Sequence, residues 1–296
     1  MTVARYPQST IKLASLGIIL AGAMWGLFWI PVRALEDFGF AGAWPSLIFY
    51  LSALVIFLPL LIVSKQPKPQ FRELAVVGLL TGTAFACYGT AIILTDVVRA
   101  LLFFYITPVW GTALGVLFLG ERLTTARVFA ILLALAGLLA VVGFGSRSAV
   151  NLGDVLALAS GLCWAVGSYK IYKLEDASPL HLSVSFVCGG IVMTGLLILF
   201  GGAAFGSTES IPSLNGILPY FILIGLYALP MVFLSIWPLK IITPGRVGIL
   251  FMSEVVIGFI SVAILSGDPF GPIEALGAVL IVTATLIEVL GNKDAT

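Results

Sequence analysis

The chain has 296 residues, of which 60% are hydrophobic and only 10% are charged, and its net charge at pH 7 is +1. A soluble domain carries about 25% charged residues, so this chain has too few to cover a globular surface in water. The composition excludes an ordinary soluble protein and predicts an all-α integral membrane protein, because lipid removes the need for a polar surface.

The pattern of apolar runs and short polar breaks predicts ten transmembrane helices. Each crossing needs about 20 apolar residues, so ten crossings leave only short loops and tails. The weakest break lies at Thr95-Asp96, and without it two runs would form a helix too long for one crossing. In chain order the predicted spans cover residues 13–33, 43–63, 73–94, 98–119, 126–144, 153–173, 181–201, 217–238, 246–265 and 273–291.

The lysines and arginines predict the orientation, because cytoplasmic loops carry an excess of positive charge. With the N-terminus in the cytoplasm, 12 of the 15 basic residues fall inside, while Arg33, Arg99 and Arg147 fall outside or at the outer edge. An even number of spans returns the chain to the side on which it began. We therefore expect both termini in the cytoplasm.

Two segments of the chain recur, which predicts an internal repeat. The segment around Trp25 recurs 139 positions later around Trp164, and the segment that begins at Arg99 recurs 147 positions later at Arg246. The agreement includes charged, aromatic and glycine positions, which chance similarity between two apolar helices would not require. We call residues related by these offsets repeat counterparts.

The repeat divides the chain into two five-helix halves, residues 1–146 and 147–296. Five spans is an odd number, so the second half must enter the membrane from the opposite side. Inverted repeats are typical of secondary transporters, in which similar halves exchange conformations around a site between them. The expected fold is therefore two inverted five-helix repeats around a central cavity, with helices one, four, six and nine as its walls.

Several short motifs, taken together, resemble a known family. They are Trp25-Gly26, Thr107-Pro108-Val109, Leu119-Gly120-Glu121-Arg122-Leu123-Thr124, Glu254-Val255-Val256, Gly267-Asp268 and Ile273–Gly277. Their order and spacing resemble the drug/metabolite transporter superfamily, in its ten-helix branch of paired EamA-like domains, and most of all its bacterial exporters of aromatic amino acids. The resemblance implies a multi-pass transporter of the bacterial inner (plasma) membrane that exports small organic solutes.

The second half departs from the family pattern at two places. Val255 stands where the family often has proline, and Gly267-Asp268-Pro269 replaces the usual Gly-Glu-Arg motif. The local shape of span nine and of its outer end therefore cannot be carried over from the resemblance.

A charged residue inside a transmembrane span is costly and often functional. Glu254 lies in the middle of span nine, and its repeat counterpart in span four is Thr107. We expect both to line the central cavity as substrate-binding residues. The alternative is that Glu254 is a protonated structural carboxyl that is hydrogen-bonded to a neighbouring helix.

The repeat counterparts Arg99 and Arg246 are expected at the outer and inner mouths. There they could attract a carboxylate or gate access, or their charged ends could simply reach the membrane interface.

Aromatic residues at mid-depth beside small residues are further substrate-binding candidates, because ring stacking adds about 0.5–1.5 kcal/mol beyond area burial. Packing within the helix bundle is the alternative for each of them. The candidates are Trp25, Tyr88, Phe103, Trp164 and Tyr227.

Pro31, Pro108 and Pro230 each remove a backbone hydrogen bond within or near the end of a span. They could kink the helices, or free carbonyl groups that bind substrate or form hinges. Helices five and ten have few polar residues and are expected at the periphery, where they support a monomer or form a homodimer contact.

The function expected from these features is export of small organic solutes by alternating access, with amino acids, aromatic ones in particular, as leading substrates. A drug, sugar, nucleotide-derived or amphipathic metabolite is the alternative substrate. An enzyme is not expected, since there is one histidine and the three cysteines all lie in apolar runs. No cofactor, metal or nucleic acid is expected, and the partners are a small-molecule substrate and the lipid bilayer.

Overall fold

The computed structural model describes residues 6–64, 70–119, 125–140, 149–174, 177–206, 214–241, 247, 250–251, 253–265 and 271–291. The elements in these ranges are helices. They are α1 Gln8–Gly26, α2 Trp29–Asp37, α3 Trp44–Val63, α4 Phe71–Leu94, α5 Val97–Phe104, α6 Thr107–Leu119, α7 Thr125–Ala140, α8 Leu152–Lys173, α9 Pro179–Phe200, α10 Ala203–Gly206, α11 Leu214–Ile236, a 3₁₀ turn Trp237–Lys240, α12 Ser253–Leu265 and α13 Pro272–Gly291.

Six helical stretches in the described residues are long and apolar enough to cross a membrane. They are Gln8–Asp37, Trp44–Val63, Phe71–Leu94, Leu152–Lys173, Pro179–Phe200 and Gly216–Lys240. Each overlaps one predicted span. The other four predicted spans, 98–119, 126–144, 246–265 and 273–291, each contain a shorter apolar helix.

Helices α1 and α2 follow each other along the chain and are separated by a turn at Leu27. Pro31 has no backbone N–H, so the Leu27 carbonyl cannot receive the usual helical bond from four residues ahead. It instead accepts a 3.1 Å hydrogen bond from the N–H of Ile30. The chain tightens for one turn and then continues as α2.

A second interruption separates α5 from α6 and has the same origin. Pro108 leaves the carbonyl of Phe104 without its helical donor. The hydroxyl of Thr107 donates to that carbonyl at 2.5 Å. The freed carbonyl is therefore satisfied locally by the side chain of the residue that precedes the proline.

The second half is interrupted at the corresponding point, although it has no proline there. Phe251, the repeat counterpart of Phe104, lies in a turn, and α12 begins two residues later at Ser253. The N–H of Glu254 donates to the Phe251 carbonyl at 2.9 Å, which is a tight three-residue turn. Val255 in place of proline therefore does not restore a continuous helix.

The bundle core is formed by contacts among α1, α3, α4, α8, α9 and α11. The α4 helix packs on α8 and α9, α11 packs on α1 and α3, and α3 also packs on α9. On the flanks α12 packs on α1, whereas α5 and α6 pack on α8. Outside this core α7 and α13 pack mainly on each other, with Ala130 and Ala284 buried between them.

The contact between α4 and α9 is close enough to require glycine. A Cβ atom on Gly189 would collide with the Gly78 carbonyl, and one on Gly82 would collide with the Gly190 backbone. Small residues allow backbones to approach in this way and are a common means of packing helices in lipid. The pairing fixes the position of α4, which carries Phe85 and Tyr88 into the bundle centre.

Candidate functional site

Two tryptophans related by the repeat meet in the bundle centre through one phenylalanine. The ring of Phe85 on α4 lies 3.9 Å from that of Trp25 and 4.9 Å from that of Trp164, measured between centroids. All three side chains are buried. The sequence-predicted pair is therefore brought together, and Phe85, which had no distinguishing signal among 20 phenylalanines, completes it.

Hydrogen bonds fix the orientation of one indole on α1 and one on α2. The Trp25 Nε1–H donates to the Ser235 hydroxyl on α11 at 2.8 Å. The Trp29 Nε1–H donates to the Ser261 hydroxyl on α12 at 3.0 Å. A buried indole N–H needs such a partner. The two bonds join α1 to α11 and α2 to α12.

Glu254 is fully buried beside the interruption between Phe251 and α12. Its Oε2 atom accepts a 2.9 Å hydrogen bond from the hydroxyl of Tyr105, which also lies 3.3 Å from the Phe251 carbonyl oxygen. Tyr105 itself lies in the interruption between α5 and α6. The two interrupted segments are therefore joined to each other by one tyrosine.

The second carboxyl oxygen of Glu254 is buried, and no described residue hydrogen-bonds to it within ordinary geometry. The Tyr88 hydroxyl interacts with the same carboxyl group electrostatically and as a weaker hydrogen-bond donor than Tyr105, and the Tyr227 hydroxyl interacts with it electrostatically. Tyr227 donates its own hydroxyl to the Met24 carbonyl. A buried oxygen that accepts nothing is uncommon in folded proteins and calls for a functional explanation.

Aromatic rings enclose the Glu254 side of the bundle. The ring centroids of Phe251 and Trp164 lie 6.0 Å apart. Phe104 is the repeat counterpart of Phe251, and its ring centroid lies 5.1 Å from that of Tyr88. The rings are thus continuous from Trp25 through Phe85 and Trp164 to Phe251. We call Glu254, Tyr105, Tyr88, Trp164 and Phe251 the central cluster.

The other predicted binding residues lie beside this cluster. Phe103 is buried on α5, two residues before Tyr105. Thr107 is half-buried, and its hydroxyl is engaged by the Phe104 carbonyl. The repeat therefore places a carboxyl at one position and a locally bonded hydroxyl at its counterpart.

Arg99 is buried, with 3% of its side chain exposed. Its Nε donates to Oδ1 of Asp154 at 3.1 Å, and an Nη donates to the other carboxylate oxygen. Asp154 is fully buried in the first turn of α8. The arrangement is a bidentate ion pair that joins the start of α5 to the start of α8.

Polar neighbours complete the surroundings of that ion pair. Asp154 and Asn151 form a reciprocal capping box at the start of α8. The Thr95 hydroxyl donates to Asp154 Oδ1 at 3.1 Å and accepts from the Asn151 amide at 3.0 Å. The sequence signal that could have revealed Asp154 is an Asn-x-x-Asp pattern directly before an apolar run.

The remaining predicted residues divide into described and undescribed ones. Pro31 lies in α2 and Pro230 in α11, while the backbone of Pro108 belongs to α6. Arg246 lies outside the described residues. Among the residues that are described, no group of three or more His, Cys, Asp or Glu side chains could hold a metal ion.

Known proteins resemble this chain along most of its length. A "Probable amino-acid metabolite efflux pump" of Escherichia coli (strain K12) is 26% identical over 293 residues, with 93% of this chain and 94% of that protein covered. An "Uncharacterized transporter" of Vibrio cholerae serotype O1 is 29% identical, with 67% and 77% covered. A solved crystal structure matches with a TM-score of 0.63 at 18% identity, covering 94% of this chain and 98% of its own, which is a likeness of fold alone.

The profile of the EamA-like transporter family matches residues 12–143, which run from within α1 to the end of α7 and contribute Trp25, Phe85, Tyr88 and Tyr105 to the site. The apolar helices and the efflux relatives agree with a multi-pass membrane protein. The first half of the chain is therefore similar to the EamA-like transporter family, over residues 12–143.

Proposed function

We propose that this protein is a secondary transporter that exports small organic solutes, with amino acids, and aromatic ones in particular, as its leading substrates. The observation that carries the proposal is the central cluster. A buried carboxyl lies among aromatic rings at the point where two helices are interrupted. Interrupted helices at mid-depth mark the substrate sites of many transporters.

The proposed mechanism is alternating access by two inverted five-helix repeats, in the bacterial inner membrane with both termini cytoplasmic. The helix contacts support it. The repeat pairs helices of the first half with helices of the second: α1 with α8, α3 with α9, α4 with α11, α6 with α12 and α7 with α13. When each helix is replaced by its partner, the α4–α9 contact becomes the observed α11–α3 contact, and the α4–α8 contact becomes the observed α11–α1 contact. The same exchange also turns α1–α12 into α8–α6 and leaves α3–α9 and α7–α13 unchanged.

Two glycine contacts support the same exchange at atomic detail. A Cβ atom added to Gly22 would lie 2.8 Å from the Phe251 carbonyl oxygen. One added to Gly161 would lie 2.7 Å from the Phe104 carbonyl oxygen. Gly22 and Gly161 are repeat counterparts, as are the two phenylalanines. In each half, the carbonyl group at the helix interruption therefore lies close to the corresponding glycine of the other half.

The relatives support an export function and an amino-acid substrate class, since two of them carry the name amino-acid metabolite efflux pump. The aromatic cluster favours a solute with a ring or another apolar body, because stacking and ring burial would stabilise its binding. An amphipathic drug or another metabolite of similar shape is the second candidate, and the same rings would accommodate it.

Counterflow in proteoliposomes tests the proposal. Vesicles that contain the purified protein and excess unlabelled phenylalanine should accumulate labelled phenylalanine from outside, and the initial rate should saturate. Protein-free vesicles give the background. Ion current without saturable counterflow would identify a channel and refute the carrier mechanism. Saturable counterflow of another solute, without phenylalanine movement, would refute only the proposed substrate.

A further inference from the structure

The free oxygen of Glu254 has a physical consequence for what the central cluster can bind. Glu254 Oε1 is buried and accepts no hydrogen bond of ordinary geometry from the described residues, whereas Oε2 accepts one from Tyr105. An ionised carboxylate that is removed from water without compensation costs several kcal/mol. A proton or a cation on Oε1 would remove that cost when the site is closed.

The described groups that face this carboxyl are uncharged. They are the hydroxyls of Tyr88 on α4, Tyr105 after α5 and Tyr227 on α11, and Gly26 of α1 lies against the Glu254 backbone. Glu254 forms no ion pair with any residue that the structure describes. No cation of the protein in those ranges neutralises it.

The central cluster can therefore accept a positively charged hydrogen-bond donor. A carboxylate oxygen and ring faces both attract an ammonium group, and cation–π attraction adds about 0.5–2 kcal/mol. A ligand carboxylate placed there would meet a second carboxylate. Arg99, the buried cation of the described chain, is held by Asp154.

Building on the proposed transport function, we propose that Glu254 binds the protonated amine of the substrate, so that the central cluster selects organic ammonium compounds with an aromatic or apolar body. The amine replaces a proton on Oε1. The carboxylate of an amino acid is not required for recognition, and an amine that lacks it binds at least as well.

Direct binding to the purified protein in detergent tests this proposal without requiring transport. The probes are phenethylamine, phenylalanine and 3-phenylpropionate, which share one ring and differ in their charged groups. We expect phenethylamine to bind at least as tightly as phenylalanine, and 3-phenylpropionate roughly 10- to 100-fold more weakly, as expected for loss of a charge-assisted hydrogen bond.

Substitutions of Glu254 test whether this residue is the source of the preference for the amine. Glu254→Gln should lose the roughly 10- to 100-fold preference for the amine, whereas Glu254→Asp should keep part of it. Glu36→Gln changes a carboxyl on α2 that is partly exposed and paired with Arg33, and it should keep the full preference. A proton competes for the same oxygen, so amine binding to wild type should weaken as the pH is lowered from about 8 to about 5.5. Glu254→Gln should lack that pH dependence.

The proposal is overturned if 3-phenylpropionate binds as tightly as phenethylamine, or if Glu254→Gln keeps the preference. Absence of phenethylamine binding overturns it as well, even where phenylalanine counterflow sustains the transport function. Conversely, Glu254-dependent amine binding without any counterflow would support the site and refute the transport function. The two failures are therefore distinguishable.

Discussion

At the scale of single residues, Tyr105 is the contact that joins the two interrupted helices. Its hydroxyl donates to Glu254 Oε2 and lies near the Phe251 carbonyl. Tyr105→Phe should lower the free energy of unfolding by about 1–3 kcal/mol, because a buried carboxyl oxygen loses its donor. Denaturation in mixed detergent micelles, followed by tryptophan fluorescence, measures the change.

Tyr220→Phe is the matched control for Tyr105. The Tyr220 side chain is 43% exposed and its ring packs on Phe38, so loss of its hydroxyl should change stability by less than about 0.5 kcal/mol. Equal effects of the two substitutions would mean that the Tyr105 hydroxyl has no special role.

The buried ion pair leads to a second prediction at this scale. Asp154→Asn should lower the free energy of unfolding by about 3–5 kcal/mol, because it leaves the Arg99 charge buried without its partner. Arg33→Gln breaks the partly exposed Arg33–Glu36 pair and should cost less than about 1 kcal/mol. Thermal unfolding in detergent compares them.

A double substitution separates charge pairing from packing. Arg99→Met with Asp154→Leu should cost less than Asp154→Asn alone, since no lone charge remains in the bundle. A larger loss in the double variant would show that the surrounding Thr95 and Asn151 hydrogen bonds, rather than the charges, stabilise this end of the bundle.

Sequence reasoning found Glu254 and missed Tyr105 for a definite reason. A carboxyl in an apolar span is conspicuous, because its burial is costly. Tyr105 is one of eight tyrosines, and its role depends on a partner 149 positions away. Arg99 was similarly conspicuous. Its burial was not predictable, because the neutralising Asp154 belongs to the other half of the chain.

At the scale of helices, the backbone contact between α4 and α9 predicts opposite effects for two glycines of one helix. Gly189→Ala should destabilise the protein by about 1–3 kcal/mol or more, because the new methyl group would meet the Gly78 carbonyl. Gly195→Ala, also on α9, meets nothing within 4 Å. It should be neutral or stabilise by about 0.5–1 kcal/mol through helix propensity.

The same unfolding measurement in detergent compares the two alanine variants. A destabilised Gly195→Ala variant, or a Gly189→Ala variant as stable as wild type, would contradict the backbone contact between α4 and α9.

The helix interruptions were only half predictable. Pro108 announces the break between α5 and α6, since it removes a backbone donor. The break at Phe251 has no such local signal, because Val255 replaces the proline. Tertiary contacts there, with Tyr105 and with Gly22 of α1, accompany the turn instead. Such contacts join distant segments and are invisible to a local reading of the sequence.

At the scale of the whole molecule, the predicted topology can be tested with reporter fusions. Ten spans place residue 150, between α7 and α8, outside and residue 177, between α8 and α9, inside. Alkaline phosphatase fused after residue 150 should be active. Green fluorescent protein fused after residue 177 or at the C-terminus should fluoresce. An inactive phosphatase at residue 150 would contradict the predicted orientation.

Hydropathy located six long apolar helical stretches, and each of the other four predicted spans overlaps a shorter apolar helix, because lipid demands long apolar runs and satisfied backbones. It also placed α7 and α13 at the periphery, where they pack on each other. Hydropathy could not predict which side chains meet in the centre, because that depends on how helices from different halves cross. The sequence repeat brought Trp25 and Trp164 into consideration, but it contained no sign that Phe85 would lie between them.

The ion pair between Arg99 and Asp154 is also a point at which the two repeats differ. The repeat counterpart of Asp154 is Ser15, whose hydroxyl bonds to the Ile11 carbonyl and cannot replace a carboxylate. If the two halves exchange conformations as proposed, Ser15 cannot supply the carboxylate for an equivalent ion pair, so the Arg99–Asp154 pair would favour one of the two access states. Each 1.4 kcal/mol by which it favours that state, on the order of one net interaction, shifts the resting population about tenfold. The empty carrier would then wait predominantly on one side of the membrane, even though its two halves have nearly the same fold.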